Sequence, residues 1–156
     1  MQRFILSLFF TLIVQLSYSQ MTFDSSKTKI NGTYFNEVSP RLIKNSFIGI
    51  TESDFYDEMD KRYLNELKND HYTFHFYNNE LTYIGINNDN GNLNINGIQV
   101  GDDISEVLNS FENAEKDCSR SPCRVFLYDS ENLDRYLIFT FDKYSQIILD
   151  IIYGTE

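Results

Sequence analysis

Apolar and polar side chains alternate strictly over residues 72–77, a pattern typical of a half-buried β-strand. An Asn-Asn pair follows, and asparagine tolerates the positive φ angles of a two-residue hairpin turn. If the chain returns as a second strand, Phe76 lies beside Leu81 and His75 beside Thr82, with the apolar side chains on one face. The segment therefore predicts a β-hairpin.

Other segments are rich in aromatic and β-branched residues and are predicted to be extended. They comprise residues 29–38, 42–43, 47–50, 92–100, 125–128, 136–141 and 146–153. Pro40 is predicted to interrupt the first of these stretches. Turns are predicted at Asp89–Gly91 and at Asp142–Ser145, where small polar residues cluster.

Two segments carry apolar residues at helical spacing. The first spans residues 51–68, and its opening Thr51–Asp54 offers hydroxyl and acidic groups that can cap a first turn. The second carries its apolar stripe over residues 104–111. There Asp103 and Glu106 have the spacing of a capping box. We therefore predict two helices.

These elements predict an α+β fold in which two helices cover one face of an antiparallel sheet. Residues 29–156 are long enough for a single globular domain with a core of its own. Residues 20–28 are mostly polar and are predicted to form a flexible N-terminal segment.

Short motifs recur at a constant distance along the chain. Ile30-Asn31-Gly32 and Ile95-Asn96-Gly97 are 65 positions apart, and so are Phe74-x-Phe76 and Phe139-x-Phe141. Two tandem α/β repeats over residues 29–87 and 92–154 would explain this. The two predicted helices do not keep the distance, so this alignment needs gaps.

The N-terminus has the features of an export signal. Arg3 precedes an apolar run over residues 4–14, and Ser17 and Ser19 supply small side chains at the −3 and −1 positions of a cleavage site. The run is shorter than the roughly 20 residues that span a bilayer. We predict a signal peptide over residues 1–19 and an exported protein, periplasmic or secreted, without stable membrane insertion.

The chain is acidic, with 156 residues and a formal net charge of −10. Loss of Arg3 with the signal peptide leaves the mature chain near −11. This balance argues against nucleic acid and anionic membrane surfaces as partners, because both select lysine and arginine. It permits a basic protein partner, although acidic surfaces also serve solubility.

The chain has two cysteines, Cys118 and Cys123, separated by four residues. In an oxidising compartment such a pair closes a disulfide. Redox enzymes favour a two-residue spacer, and zinc would need further ligands. We therefore predict a structural disulfide.

No pattern predicts a catalytic, metal or cofactor site. His71 and His75 share a strand face but lie about 13 Å apart at ~3.3 Å per residue, too far for one metal ion. Residues 92–103 have the spacing of a calcium loop, but asparagines fill its early ligand positions, whereas calcium affinity depends on carboxylates. No nucleophile elbow or phosphate-binding glycine loop is present.

The segment Gly97–Phe111, a glycine turn that enters a short helix, resembles a recurring opening in small exported α/β modules. These include the β-lactamase inhibitor protein type and small outer-membrane-assembly lipoproteins. The resemblance covers residues 96–153 and includes the hairpin from Phe139 to Ile147. It implies a protein-binding module with helices layered on an antiparallel sheet. The lipoproteins' lipid-bearing cysteine is absent, and no glycine closes the helix after Phe111.

The function that these features favour is an exported, non-catalytic protein-binding module, inhibitor-like or immunity-like. Eleven tyrosines and thirteen phenylalanines supply the side chains that protein interfaces use. The predicted binding face is the solvent side of the sheet, with His71, Thr73, His75, Tyr77, Thr82, Ile84, Ile148 and Ile152. The alternatives are a small secreted hydrolase or carbohydrate-binding module, and a structural component of the cell envelope.

Overall fold

The computed structural model describes residues 21–86 and 93–155, and the predicted signal peptide and the turn at 89–91 lie outside them. The described residues form ten strands and two α-helices. In chain order these are β1 (Thr22–Phe23), β2 (Lys29–Ile30), β3 (Thr33–Tyr34), α1 (Pro40–Ser46), β4 (Thr51–Asp57), β5 (Arg62–Lys68), β6 (Tyr72–Tyr77), β7 (Glu80–Ile86), α2 (Ser105–Ser110), β8 (Cys123–Asp129), β9 (Arg135–Phe141) and β10 (Ile148–Thr155). A short 3₁₀ helix, Phe35–Glu37, follows β3.

Eight strands form one sheet in the order β1-β8-β9-β10-β7-β6-β5-β4, and β2 pairs with β3 separately. Neighbours in the large sheet are antiparallel except β1, which pairs in parallel with β8. At the centre, β7 pairs with β10 and so joins the groups β4–β7 and β8–β10. A large antiparallel-rich sheet with two helices agrees with the predicted α+β class.

One face of this sheet, here called the inner face, carries the hydrophobic core. Its fully buried side chains include Phe74, Phe76, Phe139 and Phe141. The buried side chains of both helices belong to the same cluster, and loop residues complete it. These contributors are Ile43 of α1, Val107 of α2, and the loop residues Phe35, Val38, Leu93, Ile95, Ile98 and Ile104.

The hairpin β6–β7 and the strands β8, β9 and β10 form where the sequence predicts them. Asn78 and Asn79 have φ angles of 50° and 67°. Both central residues of the turn are therefore left-handed, as the favoured two-residue hairpin turn requires. The predicted turn at 142–145 is also present, and the Asp142 carboxylate accepts the N–H groups of Tyr144 and Ser145.

Two β-bulges change the faces on which side chains lie. In β7 the extra residue is Thr82, so that His75 pairs with Tyr83 rather than Thr82. In β10 the extra residue is Leu149, between the pairs of Ile148 and Asp150. Because side chains alternate with a period of two, one inserted residue moves all later side chains to the other face.

The predicted helix over residues 51–68 is wrong, because this segment forms the β4–β5 hairpin. Tyr56, Met59 and Tyr63 are 46%, 93% and 69% exposed, so the apolar stripe is not a buried helical face. Thr51–Asp54, which we assigned to a helix start, lie in β4 instead, and at the turn the Asp57 carboxylate accepts the N–H of Met59 at 2.9 Å. Strand pairing with β6 outweighs the local helical spacing.

The extended segments predicted at 42–43 and 47–50 are also wrong, because α1 occupies residues 40–46 and residues 47–50 form a bend and a turn. Pro40 stands at the start of this helix, where its missing N–H costs no hydrogen bond. The Ser39 hydroxyl caps the helix by accepting the N–H of Leu42 at 3.4 Å. The proline therefore begins an element rather than interrupting one.

The described part of the segment predicted to be flexible, residues 21–28, is packed. Phe23 lies in β1 and is 3% exposed, and Thr28 is 2% exposed. The Thr28 hydroxyl donates to the carbonyl of Asp24 at 2.8 Å. These contacts tie the segment to the sheet.

Helix α2 forms within the predicted segment, and the Asp103 carboxylate accepts the N–H of Ser105 at 2.8 Å. The strand predicted over 92–100 is not regular within its described part. Residues 93–100 form isolated bridges only, from Ile95 to Ile30 and to Ile98.

Two Asn-Gly turns face each other across this bridge. The N–H of Asn94 donates to Oδ1 of Asn31, and the N–H of Lys29 donates to Oδ1 of Asn96, both at 2.8 Å. The N–H groups of Asn31 and Asn96 donate in turn to the carbonyls of Asn94 and Lys29, at 3.0 and 2.9 Å. Each turn thus makes the same hydrogen bonds to the other.

The predicted disulfide between Cys118 and Cys123 is confirmed. It lies where the chain enters β8, beside the antiparallel bridge between Asp117 and Arg124. Among the described residues, no helix is long and apolar enough to cross a membrane.

Candidate functional site

The sheet face opposite the inner face, here called the open face, carries the candidate site. Strand alternation places on it side chains that are mainly aromatic, hydroxyl-bearing and acidic. They include Ser53, Phe55, Asp57, Leu64, Glu66, Thr73, His75, Tyr83, Phe126, Tyr128, Tyr136, Ile138, Thr140, Asp150 and Ile152. Three cations, Arg62, Lys68 and Arg124, lie on the same face, each beside an acid that it pairs with. Leu64 is only 4% exposed and yet does not belong to the inner cluster, so this face encloses apolar side chains of its own.

The open face is concave. Met59 and Asp60, in the β4–β5 turn, line the same cavity of about 570 Å³ as Phe126 of β8 and Ile138 of β9. In a flat sheet, six strand spacings would separate β4 from β8 by about 29 Å. The sheet must therefore curl, and the β4–β5 turn approaches β8 and β9 across what we call the groove.

Two tyrosines lie flat along the floor of the open face because two glycines leave room for them. A Cβ on Gly154 would lie 2.4 Å from the ring of Tyr136, and a Cβ on Gly85 would lie 2.7 Å from the hydroxyl of Tyr83. A larger residue at either position would force the ring above it to shift. Phe126 stacks beside Tyr136 with a centroid distance of 5.6 Å. The floor of the groove is thus a surface of aromatic rings.

His75 lines a second cavity of the groove, of about 180 Å³, which shares Asp57 and Tyr136 with the first. Its ring stacks on Phe55 at 4.6 Å and contacts Tyr83 at 5.0 Å, measured between centroids. Its Nε2 lies 3.2 Å from a carboxylate oxygen of Glu66. Burial lowers the pKa of His75, and the neighbouring Glu66 carboxylate opposes this only in part.

Glu66 is 8% exposed and is held by several partners. Burial acts to raise the pKa of its carboxyl, but the Lys68 ammonium and the His75 ring outweigh it, so the pKa is lowered. The Ser53 hydroxyl donates to the same carboxylate at 3.2 Å. This buried acid therefore has partners and serves to orient His75.

The open face also holds acids of another kind. Asp57 and Asp150 are half-buried, and among the described residues neither lies within ion-pair distance of a cationic side chain. Burial raises the pKa of Asp150. Burial, followed by the nearby charge of Asp150, raises the pKa of Tyr83. Asp57 lines both cavities of the groove.

Among the residues that the structure describes, Arg62 is the cation that lines the groove, and it is already paired. Arg62 lies 2.6 Å from a carboxylate oxygen of Asp60 and 4.7 Å from the centre of the Tyr77 ring. Its charge is therefore balanced locally. The charge left over around the groove is negative.

Of the predicted binding residues, Thr73, His75 and Ile152 do lie on the open face. Thr82 occupies the bulge of β7, and Tyr77 is 39% exposed at the end of β6. His71 precedes β6, and its N–H donates to the Asn69 side chain at 3.0 Å.

Ile84 and Ile148 are corrections to the predicted face. Both belong to the inner face, with exposures of 0% and 1%. The bulges at Thr82 and Leu149 cause both errors, because each reverses the alternation that we read along the strand.

Sequence reasoning missed Phe55, Met59, Phe126, Tyr136 and Ile138. A signal for the last three was present, because Phe126, Tyr136 and Ile138 alternate with the buried Val125, Leu127, Leu137 and Phe139. Strands that are apolar on both faces indicate that both faces are covered or used. Phe55 and Met59 were hidden by the wrong helix.

The described residues contain no group of three or more His, Cys, Asp or Glu side chains that could hold a metal ion. The calcium-loop pattern begins at residue 92, outside the described residues. The arrangement offers aromatic surface, hydroxyls and uncompensated carboxylates instead.

Comparisons with known protein families, with curated proteins and with solved structures each find no match to this chain. The resemblance to β-lactamase inhibitor-type modules therefore stays a prediction.

Proposed function

We propose that this protein is an exported, non-catalytic binding module that captures a protein partner in the groove of its open face. The observation that carries the proposal is the cavity of about 570 Å³ between the β4–β5 turn and the rings of Phe126 and Tyr136. Its volume is that of a small-molecule pocket, which is enough to receive a side chain of a partner.

The chemistry of the groove supports a protein partner. Tyrosine and phenylalanine contribute large contact areas with few rotatable bonds, and aromatic residues dominate the energy of protein interfaces. A concave surface suits a protruding loop or turn of a partner. An inhibitor or an immunity protein that neutralises an exported toxin is the specific form that we favour.

The test is capture of partners from native envelope extract by the immobilised mature protein. Phe126→Ala and Tyr136→Ala should abolish capture while keeping the fold. Tyr144→Ala is the matched control, because Tyr144 is 90% exposed in the β9–β10 turn and does not line the groove. Capture that survives both groove substitutions would contradict the proposal.

The same variants separate the rival functions. Tyrosine-lined grooves also bind sugars, so a glycan panel should be screened alongside the extract. Retention of a glycan that Tyr136→Ala abolishes, without protein capture, would favour the carbohydrate-binding alternative. Product formation in the panel would favour a hydrolase.

We also propose that the chain consists of two tandem repeats, close to 29–87 and 92–154. Three observations support this. The Asn-Gly turns bond reciprocally at a separation of 65 residues, and α1 and α2 begin 65 residues apart. Both hairpins carry a bulge at the same point of the return strand. The sequence alignment needed gaps because the first helix was predicted at residues 51–68. With α1 at residues 40–46, the two helices keep the distance of 65 residues.

The reciprocal turns give this proposal its test. Asn31→Gly and Asn96→Gly each remove one side-chain acceptor and keep the positive φ. Each should lower the free energy of unfolding by about 1 kcal/mol. Equal costs, measured by urea denaturation, support equivalent roles. A loss at one position only would contradict them.

Export is part of the proposal as well, supported by the disulfide, which persists in oxidising compartments. Mass spectrometry of the natural protein should find a chain that begins at Gln20. Intact Met1 on a cytoplasmic protein would contradict export.

A further inference from the structure

We propose that the groove receives a basic side chain, arginine or lysine, that a protein partner presents on a protruding loop. The inference rests on the proposed function, because it names the chemistry of the partner that the groove would capture. Its support is the combination of aromatic rings with carboxylates that lack a counter-ion.

Asp57 marks the end of the groove where the cation would lie. Its Oδ1 accepts the N–H groups of Met59 at 2.9 Å and Asp60 at 3.4 Å, which fixes the carboxylate at the mouth of the turn. No cationic side chain of the described residues lies within 4.0 Å of it. An incoming cation would supply the missing counter-charge.

The rings opposite Asp57 favour the same ligand. Tyr136 lines the groove together with Asp57 in both of its cavities, and Phe126 stacks beside it. A guanidinium or ammonium over such a face is attracted by the ring quadrupole. The apolar stem of the side chain would pack on Ile138 and Met59, which line the same cavity.

Charge also decides between occupants. Arg62 pairs with Asp60 and lies opposite Asp57 in the β4–β5 ladder, so one cation faces two carboxylates. A second copy of this chain is disfavoured, because each copy carries a formal charge of −10. A basic partner complements both the carboxylates of the groove and the negative net charge of the chain.

The test is an NMR titration of the full mature protein with tripeptides of the form acetyl-Gly-X-Gly-amide, where X is Arg, Lys, Leu or Glu. The arginine and lysine peptides should shift the methyl signals of Ile138, Met59 and Thr155. Added salt should weaken the effect, and the glutamate peptide should cause no shift. The leucine peptide should bind more weakly than either basic peptide.

Asp57→Asn keeps the Oδ1 acceptor of the turn and removes the charge. It should weaken binding of the arginine peptide by roughly threefold to tenfold. Asp54→Asn is the matched control: it makes the same charge change three strand pairs away, on the other face of β4, and should leave binding unchanged. An equal loss in both variants would show a general charge effect and overturn the proposal.

The outcomes separate the two levels of the argument. If the leucine peptide binds as well as the arginine peptide, the groove is an apolar site and the inference fails. Capture of a protein partner that Tyr136→Ala abolishes would still support the proposed function. If no peptide shifts the groove signals, the basic-ligand inference is overturned, and the capture experiment alone decides the function.

Discussion

The two faces of the large sheet are built from the same strands but differ in the way they are filled. On the inner face, Phe74, Phe76, Phe139 and Phe141 are at most 1% exposed and are packed under helices and loops. On the open face, rings such as Phe126 and Tyr136 lie half-exposed around a cavity. Neighbouring residues of one strand therefore serve stability on one side and, in our proposal, recognition on the other.

The largest expected effect tests this contrast within strands β8 and β9. Phe139→Ala should lower the free energy of unfolding by about 3–5 kcal/mol, because it leaves a cavity in a filled core. Phe126→Ala should cost no more than about 1.5 kcal/mol, because its ring is already partly in water. Urea denaturation of both variants measures the difference. Similar costs would mean that the open face is a second core rather than a binding surface.

A second comparison uses the bulge of β10, where neighbouring residues face opposite ways. Ile148→Ser should cost about 3 kcal/mol, since Ile148 is 1% exposed and its pocket cannot satisfy a hydroxyl. Leu149→Ser should change the stability by less than about 1 kcal/mol, since Leu149 is 46% exposed. If Leu149→Ser cost more stability than Ile148→Ser, β10 would have no bulge, and its side chains would alternate strictly.

These two positions also show where sequence reasoning succeeds and where it stops. The strands from 125 onward and the β6–β7 hairpin follow from alternation and from the Asn-Asn turn, which are local signals. A bulge inserts one residue without changing composition, so the faces of Ile84 and Ile148 could not be read from the pattern.

The predictions for the β4–β5 hairpin and for α1 were wrong for a different reason. The apolar residues of 55–67 fit a helical period as well as a strand period, and only pairing with β6 decides between them. The groove depends on that hairpin, because its turn supplies Met59 and Asp57. The site could therefore not be predicted from the sequence even where its aromatic residues on β8 and β9 were visible.

The disulfide gives a smaller expected effect at the edge of the inner face. Cys118 is exposed and Cys123 is fully buried, so the two positions separate the bond from the packing. Cys118→Ala should cost about 2 kcal/mol or less, because the closed loop is short. Cys123→Ser should cost more, because it also places a hydroxyl in the core. Equal costs in urea denaturation would assign the whole effect to the bond.

The smallest expected effect is the change in stability with pH that Asp150 causes. Its sign distinguishes this half-buried carboxylate of the open face from a carboxylate on an ordinary surface. Burial raises its pKa in the folded protein above the usual value of 3.8. Between the unfolded and folded pKa values the folded state binds more protons, so this group lowers the stability as the pH rises through that window. Above the window the destabilisation persists in full.

Asp150→Asn should therefore raise Tm slightly at pH 7, with a gain over the wild type that shrinks towards pH 3.5. Asp24 provides the opposite case. Hydrogen bonds from Lys27 and Ser26 lower its pKa to about 2, so Asp24→Asn should lower Tm at pH 7 and lose its effect in acid. Thermal melts of both variants from pH 2 to pH 7 measure the two slopes, because the contribution of Asp24 is lost only as the pH falls through about 2. Slopes of the same sign would mean that Asp150 is already compensated, and the open face would lose one of the two unpaired carboxylates that distinguish it from the inner face.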